Sequence, residues 1–514
     1  MTTPRKPAAK PAPQAAEASA TPTAKPAPRA KASSASSAPP VAPLPLQYEA
    51  LLPHATPDER ISRGKASRQE TPRRSQAQWE SWPNRPDPVS LLEEQAKTRW
   101  PELVPIRYGR MLASPFAFFR GGAYIMASDL ATTPRTGLSV QACGDAHLVN
   151  FGIYSSPERG QVFDMNDFDE TLPGPWEWDV KRLAASFEVA MRDRGMEPAD
   201  RRDVLLTVAS AYRESMAEFA TLGNLDVWYK RLDTSIILER LQTDAEKRTV
   251  KRTAKLFAKA EGKNNLRALA KLTVMVDGEP RIVSQPPLLE PASELLEGES
   301  LANFNKTIHE FLRNYAMSLS DDRRHLLEEY EFRQIARKVV GVGSVGLRSW
   351  VVLATGRDNT DPLFLQLKQA EASVLERFVG RSRYRNHGRR VVEGQRLTQA
   401  ASDSLLGWYK VLAFDGKVHD FYVRQLWDGK ASIDVGTMPP PTFIPYAGMC
   451  GWTLARGHAR TGDRIALAAY LGTNDVFDNA IADFAVAYAD QNERDFEAMQ
   501  AAFKSGRIQA EMGV

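Results

Sequence analysis

Apolar residues at helical spacing dominate the middle of the chain. Val180, Leu183, Ala184 and Phe187 share one helical face, as do Leu205, Val208, Ala209, Tyr212 and Met216. The pattern predicts helices that continue, with interruptions, to about Gln334. Phe116 to Leu130 reads as one buried helix, which Pro134 and Gly137 separate from a strand over Leu138 to Ala142. Asp277-Gly278, between TVMV and EPRIV, predicts a two-residue hairpin turn. Beyond Val339 the period changes. SWVVL and PLFLQLK read as strands joined by the polar turn GRDNTD, and residues 391–436, including HDFYVRQLW, alternate as further strands. From Tyr446 to about Ala502 the pattern is helical again. The stretch from Tyr48 to about Pro115 is polar, then loosely helical, with Leu91, Leu92 and Trp100 as apolar anchors.

Residues 1–47 are rich in Ala, Pro, Ser, Thr and Lys. Such a segment buries too little apolar surface to offset its chain entropy, which predicts disorder. It carries six basic residues and one acidic one. The 514-residue chain has a net charge of +4, so the remainder sums to −1. The pI of about 8.8 therefore owes much to the tail and does not indicate a nucleic-acid-binding body. The lysine-rich run from Lys247 to Leu272 reads as a solvated helix face, with an anionic channel as the sharper alternative. A hydrophobic fraction of 43% allows a large core and more than one lobe. Two distant cysteines argue against a disulfide framework or a cysteine zinc site and suit a reducing compartment. Neither a membrane span nor an apolar secretion core stands out, so the expected location is cytoplasmic.

The chemistry concentrates in QACGDAHLVNFGIYSSPERGQVFDMNDFDE, from Gln141 to Glu170. Phosphoryl transfer needs a carboxylate to orient the attacking hydroxyl, and an amide oxygen with a second carboxylate to hold the metal. Asp145 suits the first role and Asn150, five positions on, the second. Asp167, Asp164 and Asp169 compete for the third. By distance from Asn150, Asp164 fits the metal position; by distance to Asp179, Asp167 fits better. Arg107, Arg110 and Arg120 lie upstream, either as partners of structural carboxylates or as phosphate ligands. His147 with Asp145, Asp164 and Asp167 allows a rival metal-dependent phosphoester hydrolase.

A second informative stretch carries Gly341, Gly343 and Gly346 in G-x-G-x-x-G spacing. A dinucleotide site would open a helix there, but strand-like SWVVL follows. Strand, glycine loop, strand, then Lys368 on a further strand is the kinase order, with Lys368 placed to pair with phosphate oxygens. Lys368 then needs a carboxylate from the following helix. Glu371 is explained by a first-turn position, which leaves Glu376 as the expected partner. Arg348 stands where kinases usually have valine, and Gln425 to Trp427 would form the adenine hinge.

The G-D-A-H-L-V-N stretch and the acidic cluster resemble the aminoglycoside and choline kinase branch of the protein-kinase-like superfamily, as does NDFDETLPGPWEWDVKRLAASF, where an Asp opens the next helix. Cys143 stands where that branch usually has His. From about Tyr48 the whole chain resembles the bacterial DUF2252 family, whose name carries no established activity. The resemblance implies an α+β, two-lobed kinase-like fold. Here the catalytic residues precede the glycine loop, so the order would be circularly permuted. The expected division is a tail over 1–47, a helical catalytic lobe over 48–334, a β-rich nucleotide lobe over 335–436 and C-terminal helices over 437–514. The expected activity is transfer of phosphate from ATP, with Mg2+, to an unidentified acceptor. A nucleotide-binding scaffold without turnover is the remaining alternative.

Overall fold

The computed structural model describes residues 55–514 except 245, 246, 263, 414, 427 and 433. The expected disordered tail and Trp427 lie outside that set. The structure mixes helices with several antiparallel sheets.

Its strands are β1 (Ser139–Ala142), β2 (Phe151–Ser155), β3 (Gln161–Met165), β4 (Leu172–Pro175), β5 (Leu232–Asp233), β6 (Thr273–Val276), β7 (Glu279–Ile282), β8 (Leu289–Pro291), β9 (Glu331–Lys338), β10 (Ser349–Thr355), β11 (Pro362–Ala370), β12 (Gly407–Leu412), β13 (Val418–Gln425) and β14 (Ala431–Ser432). One sheet has the order β12-β13-β11-β10-β9-β8, and a second has β14-β2-β3-β5. β11 is buried along its whole length because both faces are covered. Alternation sends Leu363, Leu365 and Leu367 toward Phe304, Ile308 and Phe311 of the helix Gly298–Ala316. Phe364 points the other way, toward Ala268 and Leu272, and Gln366 and Lys368 share its face.

Helices that bear on the site are α1 (Val104–Met111), α2 (Pro115–Gly121), α3 (Trp176–Asp193), α4 (Pro198–Thr221), α5 (Glu376–Val379), α6 (His387–Thr398), α7 (Phe443–Thr461) and α8 (Val476–Lys504). α2 begins on a Ser114 side-chain cap with Pro at its first position. α7 packs along α4, and α8 packs on α3 and α4. Trp176 is fully buried and stacks on Tyr212 at 5.6 Å between ring centres. Among the described residues, no helix is long and apolar enough to cross a membrane.

Several expectations change. The helix expected over Phe116 to Leu130 is two helices, α2 and Ala123–Leu130, because consecutive glycines at 121 and 122 weaken continuation. Gln334 lies inside β9, so the strand region starts earlier than expected. Residues 391–398, expected to be strand, belong to α6. The Asp277-Gly278 turn forms as expected between β6 and β7, both residues adopting positive φ of 52° and 80°. The lysine-rich run forms helices over Lys247–Glu261 and Asn265–Leu272, with several side chains outside the described set.

Candidate functional site

The loop after β1 is held from behind by α3. Asp179, buried in the first turn of that helix, accepts the backbone N–H groups of Cys143 at 2.6 Å and Gly144 at 2.9 Å. Its position suits the helix dipole, and His458 Nε2 lies 3.1 Å from it. His458 Nδ1 in turn lies 2.9 Å from the Tyr212 hydroxyl. Gly144 has φ of +82°, and a Cβ there would lie 2.3 Å from the Glu170 carbonyl oxygen, so the turn requires glycine.

This anchoring presents Asp145. Its carboxylate accepts from Arg182 Nε at 2.6 Å, three residues after Asp179 and on the same face of α3. Arg182 also donates to the Phe119 carbonyl at 3.1 Å. Asn150 Nδ2 donates to the Asp145 carbonyl at 2.7 Å, so the side-chain oxygen is the atom that could hold a cation. His147 Nε2 is 3.9 Å from Asp145. Burial lowers the His147 pKa to about 4, so the ring is neutral near pH 7.

The acidic cluster after β2 divides. Asp164 lies on the buried side of β3. It forms an ion pair with Arg456 of α7, both side chains 1% exposed, and accepts from the Ala400 N–H at 2.9 Å. It is therefore not available as the metal ligand that the sequence allowed. Asp167, just beyond β3, is at the cavity wall. Partial burial pushes its carboxyl up, but Lys368, Arg424 and Lys430 draw it down to about 2. Asp169 accepts from the Tyr422 hydroxyl at 2.7 Å and from Ser344 Oγ at 3.3 Å.

Lys368 ion-pairs with Asp169 and lies 3.7 Å from Asp167. Burial alone would lower its pKa; the two carboxylates outweigh burial and hold it above the usual lysine value. Glu376, expected as its partner, does not reach it. Glu376 opens α5, and its carboxylate lies 3.8 Å from His387 Nδ1. Glu371 precedes the helix and accepts from Thr98 at 3.0 Å. Both miss Lys368 because β11 is followed by an irregular turn instead of a long helix.

The β9–β10 loop closes over this cluster. Gly341 and Gly343 line the same cavity as Asp145, Asn150, Asp167 and Asp169, a space of about 130 Å³. Gly346 does not. Its φ is +89°, a Cβ there would lie 2.9 Å from that of Arg99, and its carbonyl accepts from the Trp100 N–H at 2.8 Å. Arg348 faces Asp415 at 2.6 Å. Arg110 fastens the loop instead of lining the cavity, donating to the Gly341 carbonyl at 2.5 Å.

Glu170, at the cavity wall, is a titrating group. Burial raises its pKa to about 7, against the pull of Arg390 and the Val374 N–H, which it accepts at 2.7 Å. The folded state then binds more protons than the unfolded state between about pH 4.5 and pH 7, so this group's contribution to stability falls as pH rises through that window. Glu170→Gln keeps the acceptor and removes the titration. Melting curves are expected to show the variant gaining on wild type by on the order of 1 kcal/mol as pH rises from 4.5 to 7. A gap that is flat with pH overturns this.

Sequence reasoning missed Arg182, Arg390, Tyr422, Arg456 and His458. Arg390 donates to the carbonyls of Thr171 at 2.7 Å, Asp169 at 2.6 Å and Glu371 at 2.8 Å. Arg182 alone left a signal, its three-residue offset from Asp179. Among the described residues, no three His, Cys, Asp or Glu side chains form a ready metal cage. No curated protein and no solved structure matches the chain. A family model described as "Uncharacterized protein conserved in bacteria (DUF2252)" matches residues 99–502, and the chain belongs to that family.

Proposed function

We propose that the chain is an ATP- and magnesium-dependent phosphotransferase with a circularly permuted, two-lobed kinase-like arrangement, acting on a hydroxyl acceptor. One observation carries this. Asp145, Asn150 and Asp167 share a cavity with Gly341 and Gly343, which follow some 190 residues later in the chain. The order within the large sheet supports it. The glycine loop joins neighbouring strands β9 and β10, and Lys368 lies on the next neighbour, β11, in register with Ser349 just past the loop.

The residues divide the work. Asp145, oriented by Arg182, accepts the proton of the attacking hydroxyl. Asp167, ionised at neutral pH, and the Asn150 oxygen fit magnesium, which takes one or two carboxylates and completes its shell with phosphate and water. When bound, the metal neutralises charge on the transferring phosphoryl group. Lys368 pairs with phosphate oxygens, and Asp167 and Asp169 fill the place of the helix glutamate in kinases. The cavity is below the roughly 300–1,000 Å³ of most ligand sites, so nucleotide entry requires the glycine loop to lift from Asp169. The hydrolase reading fits less well, because Asp164 is committed to Arg456 and His147 faces Asp145.

The test is thermal stability with ATP, with and without magnesium, for wild type and Lys368→Met. Mg-ATP is expected to stabilise wild type by about 2.7 kcal/mol at a hundredfold excess over Kd. Lys368→Met is expected to weaken ATP binding about tenfold or more while remaining folded, as loss of a charge-assisted contact implies. Unchanged affinity in a folded variant sinks the reading.

A further inference from the structure

Three arginines line the same cavity as Asp145, Asn150 and Asp167. Arg99 lies just after the helix Pro88–Ala96, Arg107 is on α1 and Arg120 closes α2. None of them makes an ion pair among the described residues, whereas two cations beside the acidic cluster are neutralised: Arg182 pairs with Asp145, and Lys368 with Asp167 and Asp169. Arg107 is 1% exposed. It donates from Nη2 to Gln95 at 3.0 Å and to the Gly121 carbonyl at 3.2 Å, while Nε and Nη1 have no partner among the described residues. Arg99, 9% exposed, donates from Nη1 to the Val345 carbonyl of the glycine loop, and its Nε has none. Arg120 Nε is also buried without a partner.

Buried guanidinium donors left unmade cost free energy, the more so when charged. Three of them converging on one cavity form a fork-shaped lining suited to the oxygens of a phosphate or carboxylate. Their chain positions matter as well. They come from the segment that precedes the Asp145 loop, and Lys368 already supplies a cation from the sheet. Two separate positive groups, Lys368 and this trio, suit two anions: the nucleotide's phosphates and an anionic group of the acceptor.

We infer that Arg99, Arg107 and Arg120 form an oxyanion subsite that receives a phosphate or carboxylate group of the acceptor, so that the acceptor is an acidic molecule bearing a hydroxyl. This rests on the phosphotransferase reading for the acceptor role, but not for the subsite itself.

The probe is inorganic phosphate, titrated calorimetrically into the full chain already saturated with magnesium and β,γ-imido-ATP. Saturable binding in the millimolar range or tighter is expected, weakened about tenfold or more in Arg120→Gln, the loss of one charge-assisted contact. The affinity for imido-ATP is expected to stay unchanged in that variant. Arg120, the least buried of the three, is chosen because Arg107→Gln risks the fold; circular dichroism of both variants checks this. Absence of phosphate binding, or binding indifferent to Arg120→Gln, overturns the subsite. Phosphate that binds the nucleotide-free chain but is excluded by imido-ATP shows that the arginines serve the terminal phosphate of the nucleotide, and the acceptor assignment falls. Phosphate binding that depends on Arg120 in a chain that takes up no nucleotide upholds the subsite and removes the ATP reading.

Discussion

Asp145→Asn is expected to slow phosphoryl transfer from Mg-ATP by about 10²- to 10⁴-fold, the range for removing a positioned general base. Nucleotide affinity is expected to remain near that of wild type, because the base touches the acceptor and not the phosphates. The substitution is mild structurally, since the amide oxygen can still accept from Arg182, 2.6 Å away in the parent chain. Asp167→Asn is expected to behave differently and lose the increment that magnesium adds to ATP binding. Asp164→Asn is expected to retain that increment, because Asp164 faces Arg456 and not the cavity. ADP release measures the first effect, with water or an acidic hydroxyl compound as acceptor; calorimetric titration of ATP with and without magnesium measures the others. Equal turnover in Asp145→Asn and wild type removes Asp145 from the chemistry. Unchanged magnesium dependence in Asp167→Asn removes the metal assignment.

The largest expected loss of stability lies behind the site. Arg456→Met strands the Asp164 carboxylate where both side chains are 1% exposed. Removing one partner of a buried pair costs about 3–5 kcal/mol, because the remaining charge keeps its desolvation cost. Urea unfolding of Arg456→Met is the measurement. Arg456→Met with Asp164→Leu is expected to recover part of the loss and not all, since the N–H groups of Ala400 and Met165, each 2.9 Å from Asp164, lose their acceptor. A loss in Arg456→Met below about 1 kcal/mol would mean that the pair is not desolvated as the burial implies.

Local chemistry made much of the site readable in advance. Gly144 and Asp145 sit at the end of an apolar run, and Asn150 follows at a spacing that one tight loop can span. Asp179 opens a helix whose amphipathic pattern is plain. Strand alternation in PLFLQLK placed Lys368 on a strand. Each of these depends on residues within a few positions of one another, where backbone geometry alone relates them. The partner of Lys368 was not readable in this way. A helix directly after β11 would favour Glu376, but residues 371–375 are irregular and Lys368 pairs with Asp169, 199 positions upstream.

The sequence by itself determined many of the elements and the chemical inventory: strands with a glycine loop, a helical body, and carboxylates and an amide in one loop. Turn residues, hydrophobic period and caps act locally, so they are encoded locally. Only the tertiary structure decided where each carboxylate is placed and what it pairs with. Asp164, Asp167 and Asp169 differ by a few positions in sequence. Asp164 is committed to Arg456, while Asp167 and Asp169 both line the cavity, Asp169 also holding Lys368 and Tyr422. Those fates depend on α7, β11 and β13, which arrive from more than 190 residues away, and on burial, which sets the cost of leaving each charge unpaired. The same holds for Arg99, Arg107 and Arg120. Their spacing in sequence marks them as ordinary, and the fold gathers them in the lining of one cavity, with no ion-pair partner among the described residues.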